Sequence, residues 1–323
     1  MEESKYDSIV ESSEVEKQKM EAANDVNNTV SQTLSSPESD NNSNKRYTVR
    51  KEEDPNDITV TISDPSPVIL LFGAMTSGKT MTLVRLTRWL KDHGYKVMPD
   101  RNFRRSDDAN YEEMCNTFDN SVNSDYATGG THALNFMLVK VMNEYGEPFC
   151  QLLEAPGEHY FDDTKPQAPF PTYITKICNS SKHFKTWVFI VEKDWKSDEV
   201  KRNYAEKIKA MQAKIKPSDR VIFTCHKADK HEELINAGTP NKEQFFKEIK
   251  NQYPGIFDKY VNKNPITRLW RKYNFDFVVF SAGSFPKLKE KNSGGATERY
   301  EQGDDSYPAE LWKAIIKTVK GGF

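Results

Sequence analysis

An α/β fold is predicted for this chain, with a six-stranded, mostly parallel sheet, one antiparallel hairpin and helices on both faces. Three observations predict it. Six short runs are rich in β-branched, leucine and aromatic residues, and segments of helical period separate most of them. One pair of runs is joined only by the turn MNEYGEPF, which suits a hairpin.

The elements follow in chain order. Residues 1–46 are dominated by Ser, Asn, Glu and Asp and are expected to be a disordered polar tail, since they bury too little apolar surface to offset ordering. Residues 47–66 alternate around DPND and read as a short β extension or linker. VILLF (68–72) is a continuous apolar run suited to a buried parallel strand. Leu83, Leu86, Trp89 and Leu90 then repeat at helical spacing until Gly94. After an insertion at about 95–127, the hairpin strands lie in HALNFMLVKVM and PFCQLLEA. KTWVFIVE, RVIFTCH and FDFVVFSA complete the sheet, interleaved with the helical stretches PTYITKICNSS, SDEVKRNYAEKIKAMQAKI and NKEQFFKEIKNQY and followed by PAELWKAIIKTVK. The whole of 67–323 is expected to be one domain.

Composition narrows the partners. The 323 residues carry 46 basic and 48 acidic side chains, a net charge of −2, so there is no global basic field and nucleic acid is not an expected partner. No apolar run approaches the ~20 residues that span a bilayer. The polar start MEESKYDSIVESSEVEKQ has no apolar signal core, and a cytoplasmic location is expected. The four cysteines lie far apart without a C-x-x-C pair, which suggests neither a zinc site nor a disulfide framework.

The residues between the first strand and its helix, GAMTSGKT (73–80), match G-x-x-x-x-G-K-[ST]. Gly73 and Gly78 let successive backbone N–H groups, Ser77 among them, turn inward to cradle phosphate oxygens. Lys79 supplies a mobile cation for the β- and γ-phosphates, and the Thr80 hydroxyl can ligate Mg²⁺. A helix opening at Lys79 points its positive dipole end at the same place. Strand, loop and helix are all present.

With these motifs in this order, the chain resembles the Ras-like, translation-factor-related (TRAFAC) P-loop GTPases across roughly 67–319. Four further stretches carry the resemblance. LLEAPGEHYF (152–161) is similar to the switch II D-x-x-G motif, with Glu154 where the family has Asp and Gly157 as the γ-phosphate sensor. Glu154 would then hold Mg²⁺, through a water. Glu158 and His159 stand where relatives carry a water-orienting residue, and charge repulsion from the γ-phosphate favours His159. TGGTHALNF (128–136) offers Thr131 as the switch I threonine on Mg²⁺, with Thr128 as runner-up. TCHKADK (224–230) resembles N-K-x-D: Asp229 would accept from guanine N1–H and N2–H₂, Lys227 would lie over the base, and His226 replaces the asparagine. FSAGS (280–284) places Ser281 and Ala282 in the loop whose N–H meets guanine O6.

The resemblance implies GTP or GDP with Mg²⁺ as ligands, slow hydrolysis because no water-positioning Gln is present, and a protein effector at the switches. The catalytic candidates are Lys79, Glu158 and His159; the metal candidates are Thr80, Thr131 and Glu154. Arg101, Arg104 and Arg105 in the insertion could supply a catalytic arginine in cis or simply form a basic turn. Two other readings stand beside the GTPase: a degenerate nucleotide-binding interaction module, suggested by Glu154, Glu158 and His226, and a P-loop ATPase or kinase.

Overall fold

The computed structural model describes residues 54–123, 136–195, 197–236, 238–284, 287–289, 296–298 and 301–321. Its centre is a sheet of seven strands: β1 (Val68–Phe72), β2 (Lys96–Pro99), β3 (Met137–Met142), β4 (Pro148–Glu154), β5 (Lys185–Glu192), β6 (Arg220–His226) and β7 (Asp276–Val279). Their order across the sheet is β2-β3-β4-β1-β5-β6-β7. The pairings of β4, β1, β5, β6 and β7 are parallel, while β2–β3 and β3–β4 are antiparallel. Every residue of β1 and β5 is buried, as expected for central strands covered on both faces.

The expected hairpin is present, with Leu138 opposite Leu153 and Val139 opposite Leu152. The sheet nevertheless has seven strands where six are predicted. The seventh, β2, is KVMP, which adds antiparallel to β3 with Val97 opposite Val141 and Pro99 opposite Val139. Only Val97 and Pro99 of its four residues are buried, so it lacks the apolar run of a central strand. Its place at the sheet edge also tolerates Pro99, which has no ladder donor.

Among the described residues, eight helices surround or flank the sheet: α1 (Lys79–Asp92), α2 (Ala109–Val122), α3 (Gly157–Tyr160), α4 (Thr172–Asn179), α5 (Asp198–Lys214), α6 (Lys242–Gln252), α7 (Pro265–Arg268) and α8 (Ser306–Val319). Capping follows the local sequence: Asp108, Ser197 and Asn241 each accept a hydrogen bond from the third residue onward at the starts of α2, α5 and α6. Helix α5 buries Tyr204, Ile208 and Met211 on one face, and the Tyr204 hydroxyl donates to Ile190 O at 2.7 Å. Helix α8 buries Leu311, Trp312 and Ile315, with Trp312 against Tyr95 and Phe149 at ring separations of 5.2 and 5.3 Å.

Residues 54–67 contain no strand. They are tied down by single bonds, Thr61 N to Phe103 O at 2.8 Å and Gln151 Nε2 to Asp64 O and Ser66 O at 3.0 Å each. All four cysteines are buried and unpaired. Burial pushes the Cys150 and Cys225 thiols up, the latter to about 12. Among the described residues, no helix is long and apolar enough to cross a membrane.

Candidate nucleotide-binding site

Strand β1 ends at Phe72 and α1 begins at Lys79, so residues 73–78 must reverse direction within six residues. Two features make that possible. Gly78 sits at φ 89°, a left-handed conformation that favours glycine, and a Cβ there would come 3.2 Å from His226 Nδ1. At Gly73 a Cβ would overlap the Ser77 hydroxyl, so the loop closes on itself where a side chain would intrude. Thr76 takes a left-handed φ of 61° without being glycine.

Lys79 is buried, and its Nζ donates to Gly73 O at 3.0 Å and Ala74 O at 2.9 Å, spanning the mouth of the loop. Burial pulls its pKa below the ordinary lysine value, opposed by the charges of Glu154, Glu158 and Glu192. Glu154 closes β4 fully buried and accepts a hydrogen bond from the Thr80 hydroxyl. Desolvation raises its pKa, and Lys79 and the Thr80 bond work against that rise. The second carboxylate oxygen, Oε2, is buried without a hydrogen-bond partner, as is the Ser77 hydroxyl.

That donor set fits Mg²⁺. A hydroxyl and a carboxylate are hard oxygen ligands, and the orphaned Oε2 supplies a point of attachment. Among the described residues no cluster of three or more His, Cys, Asp or Glu forms a self-contained metal cage. Mg²⁺ in phosphate sites uses only one or two carboxylates with waters and phosphate, so none is needed. Thr131 and Thr128 lie outside the described residues.

Gly157 opens α3 directly against this loop. A Cβ there would overlap Met75 N and Cα and lie 2.6 Å from Ala74 C, so only glycine allows this approach. Its neighbours diverge. Glu158 is exposed and lines a cavity of about 160 Å³ with Met75, Thr76, Glu192, Trp195 and Lys227. His159 turns the other way, with Nδ1 2.8 Å from the Tyr173 hydroxyl of α4 and its ring edge-on to Phe136 at 6.2 Å.

The base-recognition candidates converge from the ends of β6 and β7. His226 is buried, stacked on Phe280 at 5.1 Å, with Nε2 3.4 Å from the Thr82 hydroxyl. Burial first, then the charges of Lys227 and Lys79, pull its pKa down to about 3, against a hydrogen bond with the Ser77 backbone that raises it. His226 is thus a neutral ring that ties the end of β6 to the phosphate loop. Lys227 is left-handed, with φ 57°, and its ammonium pairs with Glu192. Asp229 is exposed and accepts from the Ser281 hydroxyl at 2.5 Å, while Gly283 N donates to the same hydroxyl at 3.2 Å. Ala282 is half-buried beside them.

Two contributors escape motif reading. Arg85, fully buried in α1, donates from Nη2 to Gly303 O at 3.0 Å and pairs with Asp305. Gly303 N in turn donates to Ala282 O at 3.4 Å, so the phosphate-loop helix braces the 281–284 loop through a segment twenty residues on. Glu192 is the other, at the end of β5, holding the Lys227 ammonium. Neither lies in a recognisable pattern: Arg85 meets Gly303 and Asp305 from a distant part of the chain, and Glu192 meets Lys227 because β5 and β6 are neighbours.

The three insertion arginines all have local partners. Arg101 pairs with Glu112 and, at 3.4 Å, Asp119; Arg104 with Asp108 at 3.0 Å; Arg105 with Asp107 at 2.7 Å. These pairs match the basic-turn reading. The turn they serve joins β2 to α2, and Arg104 also lies over the Phe136 ring at 5.2 Å.

A mostly parallel sheet with the glycine-rich loop and its lysine between β1 and α1 defines a P-loop α/β fold with Ras-like strand order and an antiparallel hairpin, β3–β4, following α2. Several solved structures resemble this fold at low sequence identity. One comes from work on the GTPase activity of the chloroplast translocon components atToc33 and psToc159 (11% identity, 80% of this chain and 85% of that chain, TM-score 0.40). Another is the Saccharomyces cerevisiae Ski7 GTPase-like domain bound to GDP and inorganic phosphate (12%, 80% and 51%, 0.38). A third is the signal recognition particle receptor SRb-GTP/SRX complex from Chaetomium thermophilum (10%, 78% and 97%, 0.36). At these scores the likeness adds nothing to what the residues themselves carry. No protein-family model matches the sequence, and no curated protein matches it.

Proposed function

We propose that this protein binds a guanine nucleotide with Mg²⁺ and hydrolyses GTP slowly, acting as a nucleotide-dependent switch. The observation that carries this reading is the meeting of three separate segments at one end of the sheet. The phosphate loop, the HKAD segment at the end of β6 and the SAG turn after β7 are joined by the hydrogen bond of His226 with the Ser77 backbone and by the Asp229–Ser281 bond. The Ser281 bond aims the Asp229 carboxylate, and a carboxylate accepts from both N1–H and N2–H₂ of guanine, groups that adenine does not present in that arrangement.

Backbone N–H groups of 73–80 and the Lys79 ammonium bind the phosphates. Thr80 and Glu154 would hold Mg²⁺, with Thr131 as a further candidate ligand, and the ion would supply neutralisation of the phosphate charge. Gly157, already against Met75, offers its N–H to the γ-phosphate. Glu158, which faces the phosphate loop, would position the attacking water, with His159, turned toward Tyr173, as the alternative. Lys79 leaves the Gly73 and Ala74 carbonyls for phosphate oxygens, a stronger charge-assisted partner. A protein effector would read the switch segments.

The test is competition of a fluorescent GDP analogue by GTP, ATP and XTP, on wild type and Asp229→Asn. GTP should outcompete ATP by at least about a hundredfold, and the variant should shift the preference toward XTP, because its amide donates where the carboxylate accepts. Equal competition by ATP, unchanged in the variant, sinks the guanine reading and favours a P-loop ATPase or kinase. A second reading, a binding module that barely hydrolyses, draws on Glu154 closing directly on the Thr80 hydroxyl and on Glu158 facing the loop. Single-turnover hydrolysis separates it from the switch.

A further inference from the structure

The segment between Lys259 and Phe275 is unlike the rest of the surface. It carries five cations (Lys259, Lys263, Arg268, Arg271, Lys272) and no carboxylate, in a chain whose net charge is −2. Eight consecutive residues, 263–270, are exposed. Three of them are large and apolar: Ile266 at 65%, Leu269 at 80% and Trp270 at 80%. Such side chains gathered at one place on a surface mark a contact site.

The knob is rigidly built. Val261 and Tyr273 bridge its two ends, and Asn262 N and Asn274 N donate across the neck to Lys272 O and Tyr260 O at 2.9 and 2.7 Å. The buried Asn262 amide fills the interior, donating to the Thr267 hydroxyl at 2.8 Å and Arg271 O at 3.0 Å, while its oxygen accepts from Asn264 N at 3.1 Å. Beneath, Tyr273 and Phe275 pack on Phe246 and Phe257. The apolar tip is held out although the neck is anchored in a packed aromatic layer.

The cations divide in two groups. Lys259 and Arg271 turn back to the protein, on Gln212 O and Asp276 respectively. Lys263, Arg268 and Lys272 are exposed and pair with no carboxylate among the described residues. Apolar residues at the tip with cations around them match the two layers of an anionic bilayer, acyl boundary inside and headgroups outside. Tryptophan favours that interface because its ring is apolar and its N–H is polar. A bilayer also needs no preformed groove, which suits a protruding tip.

We infer that residues 263–272 dock this protein peripherally on an anionic membrane surface, with Ile266, Leu269 and Trp270 inserted and Lys263, Arg268 and Lys272 on lipid headgroups. Nothing crosses the bilayer in this mode.

The experiment is co-sedimentation of the full chain with phosphatidylcholine vesicles containing either no phosphatidylserine or about 30% of it, at low and at about 0.5 M salt. The wild type should pellet with the anionic vesicles, at least about tenfold more strongly than with neutral ones, and salt should weaken it. Leu269→Ala/Trp270→Ala and Lys263→Gln/Arg268→Gln/Lys272→Gln should each lose about tenfold or more of that partitioning. All five positions are exposed, so both variants should keep wild-type thermal stability and nucleotide binding. Wild type remaining in the supernatant, or variants that pellet like it, overturns the proposal. So does a concentration-dependent dimer in sedimentation velocity that the Leu269/Trp270 variant abolishes, which would give the tip to a protein contact.

Discussion

Gly157 and His226 show how a single residue can settle the shape of this site. Gly157→Ala would drive a methyl group into the Met75 backbone. Backbone cannot rotate away as a side chain can, so α3 must lift off the phosphate loop. The expected cost is about 1–3 kcal/mol in urea denaturation, as for overpacking elsewhere. A wild-type midpoint for this variant would contradict the close approach. His226 makes a prediction about pH. Its folded pKa near 3 lies below the ordinary 6.5, so between those values the unfolded chain binds a proton that the folded chain refuses. Stability from this residue is complete above that window and falls as pH drops through it, by about 2 kcal/mol between pH ~7 and pH ~5. Comparing urea unfolding of wild type and His226→Asn at both pH values checks the sign; an equal pH dependence in the two proteins would contradict it.

Among the elements, the knob at 261–274 offers the cleanest test, because one buried side chain organises it. Asn262→Ala removes three hydrogen bonds at once and leaves Arg271 O and Asn264 N without their partner. A loss of about 1–3 kcal/mol is expected, the usual range for unsatisfied buried polar groups. Amide exchange should quicken across 263–272 while β5 and β6 keep their protection, since local opening follows local contacts. Uniform acceleration throughout the molecule would mean that the knob is part of the global folding unit. The edge strand β2 shows a different elemental logic: with two buried residues of four, it is held mainly by its ladder to β3.

For the molecule as a whole, binding and folding are linked. The proposed ligand contacts β1, β4, β6 and β7 through their terminal loops, so it stabilises the domain and not one segment of it. GTP with Mg²⁺ at about a hundredfold over Kd should add about 2.7 kcal/mol to unfolding free energy. ATP at the same concentration should add far less, and Asp229→Asn should remove the GTP increment while leaving the unliganded stability close to wild type, its side chain being exposed. Chemical denaturation with each nucleotide measures this. Equal increments for ATP and GTP would point to recognition of phosphates alone.

Much of this was legible in residues of strong local pattern. VILLF, GAMTSGKT and the leucines after it placed strand, loop and helix together, because backbone curvature at glycine and helical periodicity are local properties. The hairpin was legible for the same reason: a turn between two apolar runs needs no distant partner. Motif spacing points to Lys79, Thr80, Glu154 and Gly157, and the tertiary structure gathers them around one loop. What remained hidden depended on distance in sequence. The strand KVMP has no pattern of its own and exists because β3 offers an edge. Arg85 braces a loop more than two hundred residues away, and Glu192 meets Lys227 only because β5 and β6 are neighbours. That His159 turns to Tyr173 while Glu158 faces the cavity follows from the packing of α3 on α4, which no spacing rule encodes. Local chemistry is written in consecutive residues; the partners that aim it are chosen by which strands and helices pack together.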